Sequence, residues 1–314
     1  MSKVTRNKLR ILCFGEAMVE LSAINFKKKN AQIGIAGDTL NTAIYLKRLL
    51  GVRADVDYLT VLGQDHFSDQ VIRYIEGEAI GCGSIRRIET RSVGLYAINI
   101  DEDGERTFSY WRDSSAARLL FQLDEDFLKL TKYDLIYFSG ISLAILPEDI
   151  RGRLLSFLKN RSSGLKVAFD SNYRPNLWES KVRAQKSIKR ALMCSDVALP
   201  SLDDELDLWE VKTECEVIER FVNSNIAQTA LKRGSYGPRL IGTATQDCQF
   251  SSIHNVTDST AAGDSFNAGF LASYLMGYSA LESARYGHDL AKVVVSHSGA
   301  ICPKDHIKSI IKRK

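Results

Sequence analysis

The sequence predicts an α/β fold: a mostly parallel central sheet flanked by helices, with a small β-sheet lid over one side. Two observations predict the main layers. Short apolar runs of strand character recur along the chain, and most are followed by a longer stretch with helical spacing. Strands that alternate with helices need crossover connections, which pair the strands in parallel and cover both sheet faces. A third observation predicts the lid, because between Ser92 and Trp111 two strand-like runs follow each other with no helix between them.

The elements follow in order. "LRILCF" opens the sheet, and "DTLNTAIYLKRLLG" from Asp38 has the spacing of a helix. "VDYLTVLG" precedes the helical "FSDQVIRYIEGEAIG", and "YDLIYFSG" precedes "PEDIRGRLLSFLKNR". Next come "LKVAFD" with "AQKSIKRALMCS", and "SDVALP" with "DDELDLW". In "SVGLYAINIDEDGERTFSYW" the pair Asp103-Gly104 suits a tight hairpin turn, since glycine tolerates positive φ. The stretch from Ala17 to Gln32 is also unhelical, so the lid is expected from about 17–35 and 92–112. With 314 residues and 45% apolar content the chain can bury one large core, and 1–314 reads as a single domain with neither repeats nor low-complexity linkers.

Composition narrows the partners. The net charge is +4, and the basic residues are scattered apart from Lys27-Lys28-Lys29 and the end Lys312-Arg313-Lys314, so neither nucleic acid nor membrane is expected as a partner. Six cysteines (Cys13, Cys82, Cys194, Cys215, Cys248, Cys302) lie far apart without a Cys-x-x-Cys pair, which reads as reduced structural thiols. Only four apolar residues in a row precede Gly15, too few for a signal-peptide core, so a cytoplasmic location is expected. The five histidines show no metal-ligand spacing; His288 and His297 lie on or near the tract "LESARYGHDLAKVVVSHSGA". No Gly-x-x-x-x-Gly-Lys-Ser/Thr and no Gly-x-Gly-x-x-Gly after the first strand is found, which excludes the common P-loop and dinucleotide fingerprints.

The stretch with the most chemistry is "DSTAAGDSFNAGF", Asp258 to Phe270, where small residues and Gly263-Asp264 stand at the start of an apolar helix. A helix start offers unpaired N–H groups and partial positive charge, so small residues there let an anion approach. On local physics alone Asp264 either caps that helix or serves as a general base beside a bound anion.

Asp258-Ser259-Thr260-Ala261-Ala262-Gly263-Asp264 resembles the C-terminal signature of the ribokinase-like, phosphofructokinase-B type sugar kinases, usually Asp-Thr-x-Gly-Ala-Gly-Asp. Gly37-Asp38, Asn41 and Ala43 resemble the N-terminal one. The string "GDTLNTA", together with "GERTFSYWR", "DSNYRPNLW" and "LPSLDDE", is similar to one branch, the 2-keto-3-deoxygluconate kinases, and the likeness covers about residues 10 to 305. The resemblance implies a three-layer ribokinase-like fold and transfer of phosphate from ATP, with Mg2+, to the 6-hydroxyl of that sugar acid.

It further implies that Asp264 is the base and that Ala261, Ala262 and Gly263 line the anion hole and the nucleotide phosphates. Ala261 departs from glycine, so the hole is expected either to form with φ below zero at that residue or to be weakened. Gly37, Asp38 and Asn41 would hold sugar hydroxyls. Tyr96, Tyr110 and Arg112 would line the substrate from the lid, with Tyr96 equally readable as core and Arg112 as an exposed flap residue. Arg174 would lie near substrate and phosphates, or else make a turn-stabilising ion pair. Asn172, Ser201, Lys232, Gly234 and Gly237 would complete the nucleotide side, and His288 or His297 would border it. Ser201 replaces the asparagine of the family's magnesium-linked Asn-x-x-Glu element, with Asp204 or Glu205 as its acid, so no metal ligand set is readable. The family also suggests a homodimer or higher oligomer through the lid. Two neighbouring readings stay open: a kinase for a neutral ketose or another sugar acid, such as fructose or 2-ketogluconate, and a non-catalytic sugar- or nucleotide-binding protein.

Overall fold

The structure is a computed structural model, and it describes residues 8–100, 106–224, 226–242, 249–252 and 256–311. In chain order its strands are β1 (Leu9–Phe14), β2 (Met18–Asn25), β3 (Asn30–Ala36), β4 (Ala54–Leu59), β5 (Val61–Gly63), β6 (Arg86–Ile88), β7 (Gly94–Ile100), β8 (Arg106–Trp111), β9 (Leu135–Ser139), β10 (Lys166–Asp170), β11 (Val197–Ala198), β12 (Gln228–Leu231) and β13 (Arg239–Gly242). The helices are α1 (Asp38–Leu50), α2 (His66–Gly77), α3 (Asp124–Leu130), α4 (Gly140–Ala144), α5 (Glu148–Lys159), α6 (Lys181–Met193), α7 (Leu202–Trp209), α8 (Glu214–Val222), α9 (Ala262–Leu275), α10 (Ala280–Val295) and α11 (Lys308–Ile311).

Among these residues one sheet has seven strands in the order β13-β12-β11-β10-β9-β1-β4, parallel except for the edge strand β13. Its strands read as continuous apolar runs because both faces are covered. Ile11 and Cys13 of β1 pack with α1, α2, α9 and α10, while Leu12 and Phe14 face α3 to α6. In β9, Leu135 and Tyr137 join the first layer, and Ile136 and Phe138 the second. This period of two, buried on each side, makes the three layers. Among the described residues no helix is long and apolar enough to cross a membrane.

The second sheet has the order β3-β2-β7-β8, with β2 and β7 parallel and both outer pairings antiparallel. It presents exposed Ile33, Phe108, Tyr110 and Trp111. The expected hairpin turn at Asp103-Gly104 lies outside the described residues. "VDYLTVLG", read as one strand, is divided: β4 stays in the main sheet, while β5 leaves at Thr60 to pair with β6.

Candidate active site

The chain runs from β1 outward to β4 and then returns to β9 on the other side of β1. Crossovers on the two sides of that point leave in opposite directions, opening a crevice at the carboxyl ends of the strands, where ligands bind in such sheets. Ser139 ends β9, Asp170 ends β10, Lys232 follows β12, and α1 and α9 bring Asp38 and Asp264 to the same edge.

These residues are joined by hydrogen bonds. Asn41 Nδ2 donates to Asp264 Oδ2 at 2.9 Å, and Thr42 donates to the Asp264 carbonyl at 3.2 Å. Asp38 Oδ2 accepts from Ser139 Oγ at 2.5 Å and from Asn172 Nδ2 at 2.8 Å. Lys232 Nζ donates to Asp170 Oδ2 at 2.5 Å and to Asn267 Oδ1 at 3.2 Å; the Asn267 amide also donates to Asp170 Oδ2 at 2.7 Å and to Tyr137 at 2.9 Å. The half-buried Asp264 carboxyl is raised to about 8, first by burial and then by the Asp38 charge; Asn41 and Lys232 oppose the shift, and Asp170 adds to it.

The start of α9 is built for a close approach. Asp258 accepts the Thr260 amide at 2.9 Å and the Gly299 amide at 2.8 Å, which curls the loop ahead of the helix. Ala262 N–H bonds back to Ser259 and Ser265 N–H to Ala261, so among the described residues the amides of Gly263 and Asp264 have no carbonyl partner. A Cβ built on Gly263 would sit 3.4 Å from Lys232 Nζ, which places that cation beside the helix mouth. Ala261 corrects one expectation. Its φ is +59°, so the turn keeps the left-handed shape that glycine adopts freely and the alanine carries the steric cost.

At the start of α1, a Cβ on Gly37 would meet the Glu16 carbonyl oxygen at 2.3 Å, so only glycine lets the chain turn there into the helix. Arg112 is not an exposed flap residue. It is 6% exposed, bonds Glu16 through Nη2, and lies 5.8 Å from the centre of the Tyr110 ring. Tyr96 is buried and donates to Glu20; burial first, and then the Glu20 charge, holds its hydroxyl far above the usual tyrosine range. Tyr110 is half-exposed, 5.8 Å from the Tyr96 ring.

On the other side Arg174 makes the ion pair that the sequence left open, to Asp204 at 3.1 Å. Asp204 is raised by burial and by the Asp170 charge, with Arg174 and Lys232 opposing. Glu205 instead is fully buried, bonded to Trp209 at 2.8 Å and raised to about 7 by burial. Ser201 caps α7 and pairs with Lys232 in an isolated bridge, and Gly234 and Gly237 turn beyond it with φ of +55° and +74°.

The family described as pfkB family carbohydrate kinase matches residues 8–307. This chain belongs to that family. It is 40% identical over 305 residues to the 2-dehydro-3-deoxygluconokinase of Escherichia coli K12, covering 94% of this chain and 98% of the relative. It is 41% identical over 302 residues to that of Dickeya dadantii, covering 93% and 96%. The solved 2-dehydro-3-deoxygluconokinase of Thermotoga maritima superposes with a TM-score of 0.82 at 19% identity, covering 98% of this chain and 99% of that one. The ATP-bound fructokinase of Xylella fastidiosa gives 0.81 at 22%, covering 97% and 98%. These two likenesses establish the ribokinase-like fold.

Within this pfkB chain the structure brings Gly37, Asp38, Asn41, Asn172, Lys232 and the Ala261–Asp264 loop into one bonded neighbourhood. Asn172, expected on the nucleotide side, donates through Nδ2 to Asp38. His288 bonds the Ser251 carbonyl at 2.9 Å and lies edge-on to Phe250, whereas His297 faces His306. Sequence reasoning missed Glu16, Asp170, Ser139 and Asn267. Asp170 and Ser139 carried a usable signal, since both are polar residues closing apolar strand runs; Glu16 carried none.

Proposed function

We propose that this pfkB-family chain is an ATP-dependent kinase for 2-keto-3-deoxygluconate, which is 2-dehydro-3-deoxygluconate, phosphorylating its 6-hydroxyl to give 2-keto-3-deoxy-6-phosphogluconate and ADP. One observation carries the substrate: near-full-length identity of 40% to relatives named for that activity. The site chemistry supports it.

Asp264 takes the proton of the 6-hydroxyl. Asn41 occupies Oδ2 and leaves the other oxygen for that proton, and a raised carboxyl is a matched base near neutral pH. The amides of Gly263 and Asp264, without a carbonyl partner among the described residues and with Lys232 beside them, meet the charge on the migrating phosphoryl group. Buried Asn41 Oδ1 has no partner among the described residues and, with Asp38 and Gly37, would receive sugar hydroxyls. Arg112 and Tyr110 meet the carboxylate side from the lid, with Tyr96 beneath them, and a closed lid keeps water from the phosphoryl group. Ala261, Ala262, Ser201, Gly234, Gly237 and Arg174 line the nucleotide side. Magnesium supplies charge neutralisation when bound with the ATP phosphates. Of the two acids in the α7 start, Asp204 would be the one to meet it or its water shell, since Glu205 is fully buried against Trp209.

The lid's exposed aromatic face suits a second copy of the chain, and a cytoplasmic location fits the activity. The test of substrate is ADP release from Mg–ATP with 2-keto-3-deoxygluconate, 2-ketogluconate, fructose and ribose, with Asp264→Asn alongside. Strong preference for the deoxy keto acid that vanishes in the variant is expected. Preference for fructose or ribose would overturn the substrate while leaving the base in place.

A further inference from the structure

Glu16 lies outside every sequence signature, yet each passage between the main sheet and the lid meets at it. The chain enters the lid through Gly15–Ala17 between β1 and β2, returns at Gly37 between β3 and α1, re-enters at Gly94 at the start of β7, and leaves at Arg112 after β8. At the second passage the Glu16 carbonyl oxygen fills the space a Gly37 side chain would need. At the third, Glu16 Oε1 lies 2.7 Å from where a Gly94 Cβ would stand. At the fourth, Glu16 Oε2 accepts from Arg112 Nη2. Both partners are buried, Glu16 to 2% exposure and Arg112 to 6%.

We propose that Glu16 is a positioning residue: it anchors the Arg112 guanidinium at the hinge of the lid and so sets where that cation meets an acidic sugar. The proposal rests on the reading that Arg112 contacts the substrate carboxylate. Two features support it over simple structural filling. Burying an arginine without a counter-charge is costly, so Glu16 makes it possible to hold a cation under the lid before substrate arrives. The pair is also left incomplete, because among the described residues the buried Arg112 Nε and Glu16 Oε1 have no hydrogen-bond partner. Arginine has donors for two carboxylates, so a second one, on the substrate, can bond without displacing the first. Gly37 leads directly into α1, which carries Asp38 and Asn41, so the same residue ties the carboxylate reader to the hydroxyl readers.

The experiment is a double-mutant cycle on Glu16 and Arg112, read as KM and kcat for 2-keto-3-deoxygluconate and for Mg–ATP, with thermal melts of each variant. Glu16→Ala is expected to raise KM for the acid about tenfold with a smaller fall in kcat and no change in KM for Mg–ATP. Glu16→Gln keeps the shape and a neutral acceptor; since charge-assisted bonds are roughly twice as strong as neutral ones, it should raise that KM only about threefold. The pair Glu16→Ala with Arg112→Ala should be no worse than Arg112→Ala alone. Additive effects, or a folded Glu16→Gln with unmoved KM, would overturn the proposal while Arg112 keeps its role; Gln carries this test if Ala does not fold. An Arg112→Ala variant with unchanged KM would overturn the reading of Arg112 and the proposal together. A preference for neutral sugars, seen in the panel before any variant is made, would do the same through the substrate.

Discussion

Asp264 holds its carboxyl at about 8, with burial the first cause and the Asp38 charge the second. A base works in its ionised form, so kcat/KM, which reports the free enzyme, should rise about tenfold per pH unit below that value and level above it. Asp264→Asn should lower turnover by roughly 10² to 10⁴ at every pH and flatten the profile. The stability sign follows from the same shift. The folded value exceeds the unfolded carboxylate value of about 3.9, so the folded state binds the extra proton; the stability this adds is full below about pH 4 and lost as pH rises through about 8. Asp264→Asn should therefore melt a few degrees above the parent at pH 8, with the difference gone near pH 4. A variant that melts lower at pH 8 would sink this account. Ala261 makes a second residue-scale case. Its left-handed backbone costs a non-glycine residue about 1 kcal/mol, so Ala261→Gly should raise stability by about that much and retain turnover, as melts and steady-state rates would show.

At the scale of elements, the site is a set of strand ends and helix starts held by polar bonds. Lys232, just after β12, meets Asp170 at the end of β10, and both are largely buried. Removing one partner of such a pair strands the other charge, so Lys232→Met should cost about 3 to 5 kcal/mol in denaturant melts. Adding Asp170→Asn should recover most of that stability without restoring turnover, because the cation beside Gly263 is still missing. Failure of the second change to recover stability would show that the pair does not act as a unit. The elements themselves were largely legible in the sequence. β1, β9 and β10 alternate apolar residues into two cores, and α9 follows a run of small residues that marks a helix start. The break of "VDYLTVLG" at Thr60 was not legible, since both halves are equally apolar and only their partners, β1 and β6, differ. The shape of the Ala261 turn was missed for a related reason: residue preference argues against positive φ there, and the surrounding loop overrides it. Glu16 was illegible because its partner stands 96 positions away and no spacing links them.

On the scale of the whole molecule, the first 112 residues carry Gly37, Asp38, Asn41 and Arg112, the proposed sugar side, and the last third carries Lys232, Gly263 and Asp264, the proposed phosphate side. The two meet where β1 lies between β4 and β9, so neither half holds a complete site. A ligand that touches both sides stabilises the folded chain by mass action, about 2.7 kcal/mol at one hundred times its dissociation constant. For a chain of this size each kcal/mol is worth about 2 °C, so saturating 2-keto-3-deoxygluconate should raise the Tm by about 5 °C. Fructose, lacking the carboxylate that Arg112 is proposed to read, should raise it far less at the same concentration. The Asp264→Asn variant separates binding from chemistry: if Asp264 acts as base, the variant keeps the shift within about 1 °C while losing turnover. A lost shift would mean instead that Asp264 holds the sugar in the ground state, and proton removal would have to be assigned to another group at the same sheet edge.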